Sequence, residues 1–264
     1  MKRGRIMQNK TGPQPRFAPS DIAAAVGLMT RLPVPVDTDR ATLRGARAAW
    51  AWPVAGLVVG GLAALSASLA LWLGLPPALA AVLLIATQIT LTGALHEDGL
   101  ADSLDGLWGG WTRDRRLEIM KDSRIGAYGV IGLILTLLLR WQLWSLIIAN
   151  DALWSAALIM GAVSRAPMAA LMAWLPPARA TGLSRHVGRP VHVTAVAAAV
   201  LAGVITLLLW PGALPALGLV VAATAYGWGR IAHARIGGQT GDILGAGQQM
   251  CDISGLLVLA VQLT

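Results

Sequence analysis

Charge is what this 264-residue chain has least of. Asp, Glu, Lys and Arg make up 13% of it, against an apolar share of 56%. A soluble domain carries about 25% charged residues, so there are too few here to coat a water-exposed surface. That excludes an ordinary soluble domain, a disordered chain and a coiled coil, and leaves a polytopic membrane protein. Cysteine is nearly absent. Cys251 stands alone, so no intrachain disulfide can form and a cysteine-based metal site is not expected. Acids are missing from residues 1–19, which hold five basic residues and three prolines. No apolar core follows the opening Met1-Lys2-Arg3-Gly4-Arg5, so this is not a cleavable signal peptide. A flexible basic cytoplasmic arm is expected there, ahead of a single integral-membrane catalytic domain over 20–264.

Formal charge is missing altogether from residues 48–95. A membrane span needs about 20 mainly apolar residues, so this run has room for two. Leu75-Pro76-Pro77 divides it, because proline cannot continue a helix interior, which predicts helices near 50–74 and 77–95. Further spans are predicted over 125–149, interrupted by Arg140, and over 152–175. The uncharged run 191–229 is split by Trp210-Pro211-Gly212 into two more. A weaker seventh covers 243–263 and contains Asp252. The fold class is therefore all-α, a polytopic membrane helix bundle of about seven transmembrane helices.

The net charge of +8 has a use in such a protein. With seven spans, segments 1–47, 96–124, 176–190 and 230–242 share one side and hold 19 of the 21 Lys and Arg residues. The turns at 75–77, 150–151 and 211–215 hold none. By the positive-inside rule the N-terminus is cytoplasmic, with cytoplasmic loops near 96–124, 176–190 and 230–242. The basic excess then sets topology, and no nucleic-acid partner is expected. Trp50, Trp52, Trp72, Trp154, Trp174, Trp210 and Trp228 fall near predicted helix ends, where amphipathic rings prefer to sit.

Seven of the 13 acids fall between 97 and 122: Glu97, Asp98, Asp102, Asp105, Asp114, Glu118 and Asp122. Asp98, Asp102 and Asp105 are spaced i, i+4, i+7, which places them on one face of a helix. Like charges on one face repel unless a cation binds. Mg²⁺ suits them, being a hard ion that takes oxygen ligands, keeps several waters and accepts substrate phosphates. The segment continues through Arg113, Arg115 and Arg116, a membrane-proximal basic cluster, to Lys121-Asp122-Ser123-Arg124 and a glycine-rich stretch. Lys121 and Arg124 are candidates to neutralise phosphoryl oxygens. Gly237-Gly238-Gln239-Thr240-Gly241-Asp242 allows close approach of backbone to a ligand and puts Asp242 at a helix N-terminus, where anions are favoured. Arg165 and Asp252 are intramembrane charges, costly unless paired or functional. Arg165 is expected to meet either Asp252 or a substrate phosphate, whereas Arg140, beside Trp141 and Trp144, is expected to snorkel outwards. The residues alone thus describe a metal-dependent membrane enzyme handling a phosphorylated substrate at the cytoplasmic face.

Four ordered motifs narrow this. Thr30-Arg31-Leu32-Pro33-Val34-Pro35, His96-Glu97-Asp98-Gly99-Leu100-Ala101-Asp102-Ser103-Leu104-Asp105-Gly106, Glu118-Ile119-Met120-Lys121-Asp122-Ser123-Arg124-Ile125-Gly126-Ala127-Tyr128-Gly129 and Gly238-Gln239-Thr240-Gly241-Asp242 resemble the cobalamin synthase family, also called adenosylcobinamide-GDP ribazoletransferase. The resemblance runs over roughly 18–260. It implies an inner-membrane enzyme that joins adenosylcobinamide-GDP to α-ribazole or its 5′-phosphate, releases GMP and needs Mg²⁺. The family's acidic signature carries onto Glu97, Asp98, Asp102 and Asp105, its Lys-Asp-Ser-Arg stretch onto Lys121, Asp122 and Arg124, and its Thr-Gly-Asp turn onto Asp242; in the mechanism expected here, Asp98, Asp102, Asp105 and Asp122 would hold the metal, and Glu97 or Asp105 would take a proton from the ribazole 3′-hydroxyl. Arg31, Lys121, Arg124, Arg165, Thr240, Gly241 and Asp242 would bind substrate and phosphate. The chain departs from the family pattern at Ser103-Leu104, where Thr-Ala is common, and at Asp252, where Glu is common. A CDP-alcohol phosphotransferase also has carboxylates at helical spacing, but Asp102-Ser103 stands where its pattern needs Ala-Arg. A membrane prenyltransferase would carry a second Asp-rich helix. A secondary transporter would place its charges near the midplane.

Overall fold

A computed structural model of the chain describes residues 15–263. Residues 1–14, most of the expected arm, lie outside the described residues. The rest is helical, and the only β-type pairing among the described residues is an isolated bridge between Pro177 and Gln239. Helix α1 (Ser20–Met29) is followed by α2 (Thr38–Arg44), a 3₁₀ segment and α3 (Trp52–Trp72). Next come α4 (Pro77–Thr92), α5 (Leu95–Gly109), α6 (Arg113–Ile119) and α7 (Ala127–Ala149). Helices α8 (Leu153–Val163), α9 (Ala166–Trp174), α10 (Leu183–Val187), α11 (His192–Leu209), α12 (Leu214–Ile236) and α13 (Gly241–Val261) complete the chain.

Six helical units are long and apolar enough to cross a membrane: Thr38–Trp72, α7, Leu153–Trp174, α11, Pro211–Ile236 and α13. Helices α4 and α5 meet the same test only together, as a pair bent by 86°, which makes seven. The prolines at 76–77 and 211 start helices as the sequence predicts, because the fixed proline φ suits a first turn.

The bend is where sequence and structure part. A straight helix was expected to 95, with a loop over 96–124. Instead α4 ends at Gly93, whose φ is +64°, and Ala94 follows at +58°. Two successive left-handed residues turn the chain sharply, and α5 then runs unbroken through the acidic motif. Glycine takes this conformation readily and marks the helix end, but alanine pays a steric penalty there, so the sequence does not signal that a second left-handed residue follows.

Small residues set how closely the helices pack. Gly56 and Gly60 of α3 lie directly on the carbonyls of Gly161 and Ala157 in α8, leaving no room for a Cβ. Lipid offers no hydrophobic drive between helices, so such backbone contact supplies the dispersion energy. Gly60→Val would push a branched side chain into the Ala157 carbonyl. The expected cost exceeds the ~1–3 kcal/mol typical of overpacking, because backbone cannot rotate away. Fluorescence-detected size exclusion in detergent should show loss of the monodisperse peak; a wild-type profile would refute this packing.

The same logic brings α5 onto α13. Gly99 sits against the backbone of Asp242 and Gly245, and Gly245 against that of Leu95 and His96. The first helices are tied separately. Arg44 pairs with Asp21 in the interior, and Trp50 Nε1 donates to Asp21 Oδ2 at 2.8 Å. The tryptophans divide. Trp72, Trp154 and Trp174 are exposed at helix ends, as expected of interfacial anchors, but Trp52 and Trp228 are buried. Trp228 spends its N–H on the Ile243 carbonyl at 2.9 Å, so it serves the α12–α13 contact.

Candidate active site

Helix α5 carries the acidic motif between α13 and α7, and the two neighbours sort its carboxylates. Asp105 faces α7. Its oxygens accept from the Gly126 amide at 2.7 Å and the Gly129 amide at 2.9 Å. It satisfies the first turn of α7, which otherwise has no side-chain cap. Glu97 points inward and accepts from Arg140 and from Gln249, each at 3.0 Å. Asp98 is exposed and Asp102 half-buried. They lie within Coulombic reach of each other and of Asp242 at the start of α13.

Asp242 is held by its surroundings. Thr240 caps α13, accepting from the Ile243 amide at 3.3 Å, and its hydroxyl donates to Asp242 Oδ2 at 3.1 Å. Arg179 Nη1 reaches the same oxygen at 3.2 Å. The arginine is aimed there by the bridge between 176–178 and 239, in which Ala178 N donates to Gln239 O and Gln239 N to Pro176 O, both at 2.8 Å. Its other nitrogen donates to the Leu117 carbonyl at 3.1 Å. Arg179 is a site residue that the sequence reading missed. Its one signal was to be basic in a loop on the same side as the acids.

Charge accounting then separates the acids. Asp242 has Arg179, Asp105 has two amides and Glu97 has Arg140. Asp122 pairs with Arg124 at 2.7 Å, and the hydrogen bonds from the Arg124 guanidinium and backbone hold its carboxyl below the usual carboxylate range. Asp98 and Asp102 alone in the acidic motif make no ion pair or hydrogen bond among the described residues. Of the four expected metal ligands, Asp98 and Asp102 stay available, whereas Asp105 and Asp122 are engaged elsewhere. Of the two expected proton acceptors, Glu97 and Asp105, both are buried.

The cationic residues divide too. Lys121 and Arg124 are exposed on the segment between α6 and α7, next to the amides that bind Asp105. Arg31 is exposed, with its guanidinium against Gly93 at the α4–α5 bend. Arg113 and Arg116 spend their guanidinium groups on carbonyls of Ile236, Ala178, Gly110 and Arg235, so they tie the loops of this face together. Gly241 is exposed at the first turn of α13.

One expectation for the intramembrane charges is corrected. Arg140 does not snorkel outwards. It is buried, with Nη1 on Glu97, Nη2 on Gln88 Oε1 at 2.6 Å and Nε 3.2 Å from Asp252 Oδ2. The last contact is an ion pair without hydrogen-bond alignment, since neither atom has a hydrogen-bond partner. Helix α7 packs on α4, α5 and α13, so the Arg140 face of its middle meets polar side chains, while Ile134, Leu135, Leu138 and Leu139 stay exposed on the other faces. Arg165, at the break between α8 and α9, is also buried and donates to the Gly161 carbonyl at 3.0 Å. Asp252 pairs with Arg140, and Arg165 lies within Coulombic reach of both Asp252 and Glu97, which agrees with the expected Asp252 partner.

Beside Asp98 and Asp242 lies a cavity of about 170 Å³. Residues 21–260 match the family model described as cobalamin-5-phosphate synthase. The chain belongs to that family. It is similar to an adenosylcobinamide-GDP ribazoletransferase of Bradyrhizobium diazoefficiens, 49% identical over 91% of this chain and 93% of the relative. Enzymes of that name from Mesorhizobium japonicum and Azorhizobium caulinodans are 44% and 43% identical, over 95% and 90% of this chain and 96% and 94% of the relatives. No solved structure matches the chain. Within the family match lie all the acids sorted above, from the paired Glu97 to the unpaired Asp98 and Asp102.

Proposed function

We propose that this member of the cobalamin-5-phosphate synthase family is an adenosylcobinamide-GDP ribazoletransferase of the inner membrane, working at the cytoplasmic face. It joins adenosylcobinamide-GDP to α-ribazole or its 5′-phosphate and releases GMP. The observation that carries the reading is the pair of carboxylates without a hydrogen bond or ion pair among the described residues, Asp98 and Asp102, on one helix face beside the Asp242–Arg179 pair.

Mg²⁺ fits this donor set. Among the described residues no three His, Cys, Asp or Glu side chains form a ready-made metal cage. That suits an ion which takes one or two carboxylates and completes its shell with waters and substrate phosphates. Asp98 and Asp102 would hold it. When bound, it supplies Lewis-acid neutralisation of charge on the diphosphate.

The chain's own groups account for the rest. The ribazole 3′-hydroxyl attacks the cobinamide-side phosphorus. A new P–O bond forms, the P–O bond to GMP breaks, and the hydroxyl proton passes to Asp242 Oδ1. That oxygen is free because Arg179 and Thr240 both hold Oδ2. Arg179 keeps the carboxylate oriented. Lys121, Arg124 and Arg31, exposed on this face, meet the phosphoryl oxygens; charge-assisted contacts of this kind stabilise spread negative charge. Glu97 serves as a positioning residue through Arg140, and Asp105 by fixing α5 to α7.

The test is direct. Protein purified in detergent, given adenosylcobinamide-GDP, α-ribazole and Mg²⁺, is expected to release GMP, and EDTA to stop it. No GMP with either ribazole form would sink the reading.

A further inference from the structure

The cavity beside the acids has two chemically different sides. Beside Leu95 of α5, its apolar wall draws on four residues of other helices: Met29 of α1, Trp52 of α3, and Met168 and Met172 of α9. All four are buried. Its polar side includes Asp98 of α5 and Asp242 of α13. A ligand spanning the two must be apolar at one end and carry hydroxyl groups at the other.

We infer that this cavity is the subsite for the acceptor nucleoside, with an apolar fused aromatic base against Met29, Trp52, Met168 and Met172 and the ribose hydroxyls turned to Asp98 and Asp242. The inference rests on the proposed transferase reading and deepens it. A guanine fits less well. Its edge carries donors and acceptors that need partners once buried, and the α1, α3 and α9 side of the cavity presents Leu28, Met29, Trp52, Met168 and Met172. Thioether and indole groups suit an apolar ring instead. Sulfur contacts aromatic rings favourably, and methionine adapts to rings of different outline. Ribose hydroxyls can donate to the Asp98 and Asp242 carboxylates, and Arg179, Thr181 and Ser184 line the same side. The arrangement also brings the attacking hydroxyl to the carboxylate that takes its proton.

Two substitutions narrow the cavity. Met172→Trp fills the buried wall. Leu183→Trp, at a lining residue 53% exposed, obstructs the cavity with little demand on folding. Calorimetric titration of α-ribazole into detergent-purified protein is expected to show saturable binding in wild type. Each variant should bind at least about tenfold more weakly, the scale of a few lost apolar contacts. The KM for α-ribazole should rise in parallel, while the KM for adenosylcobinamide-GDP stays at the wild-type value.

Absence of α-ribazole binding to wild type would overturn the subsite. So would unchanged binding in Leu183→Trp, whether or not Met172→Trp folds. A rise in KM for the GDP adduct alone would assign the cavity to guanine and also overturn it. The two readings fail separately. Ribazole binding that the variants weaken, with no GMP release, leaves the subsite standing and sinks the transferase. GMP release with wild-type ribazole KM in both variants does the reverse.

Discussion

Asp98→Asn and Asp102→Asn are each expected to lower GMP release by about a thousandfold, the scale of losing a preorganised charge that acts on the reacting group. Both should accumulate in membranes at the wild-type level and give a wild-type gel-filtration profile. The reasoning is that neither carboxylate supports the fold. Each side chain lacks an ion pair or hydrogen bond within the described chain, Asp98 is exposed, and neutralising either relieves repulsion on α5. Asparagine keeps shape and one oxygen but removes the charge that a divalent ion needs. The contrast is Asp105→Asn, which keeps one acceptor for the Gly126 and Gly129 amides and should act on stability more than on the Mg²⁺ dependence of the rate. Full turnover in both the Asp98 and Asp102 variants would refute the metal assignment, and so would equal Mg²⁺ dependence across all three.

Arg140→Ala should unfold the bundle's interior and not merely slow the enzyme. Removing this guanidinium leaves Glu97 and Asp252 buried without their common partner, and Gln88 and Gln249 without a donor. Breaking one side of a buried ion pair costs about 3–5 kcal/mol, and Arg165, the second cation within Coulombic reach of these acids, makes no direct ion pair with either. A thermal melt in detergent should fall sharply, with little folded protein recovered. Arg140→Gln combined with Glu97→Gln removes charge from both sides and should recover part of the loss. An unchanged melting temperature in Arg140→Ala would rule out the network's structural role. Arg140 is therefore important to activity only through the placement of α5, the helix it holds by Glu97.

The pattern of misreadings has one cause. Arg140 was expected outside because its sequence neighbours Trp141 and Trp144 look like an interfacial belt, but Trp144 is fully buried. Sequence shows that Asp105 and Asp122 lie close to Asp98 and Asp102 along the chain, but not that Asp105 faces the Gly126 and Gly129 amides or that Asp122 pairs with Arg124. Arg179 was overlooked because its partner, Asp242, is far away in sequence. In each case the deciding neighbour comes from another helix or loop.

Hydropathy and proline by themselves determined the seven apolar segments, since a bilayer demands a fixed length of apolar helix and proline ends it. Helical periodicity determined that Asp98 and Asp102 share a face, since the period is a local property of the backbone. Four motifs determined the family. Tertiary structure decided which acids remain free, which arginines are structural, and that an apolar cavity adjoins the carboxylates. Those outcomes depend on glycine contacts such as Gly99 on Gly245, and on the left-handed turn at Gly93-Ala94, which set the distances between helices. A side chain is available for chemistry only when no neighbour has already satisfied it, and packing alone supplies the neighbours.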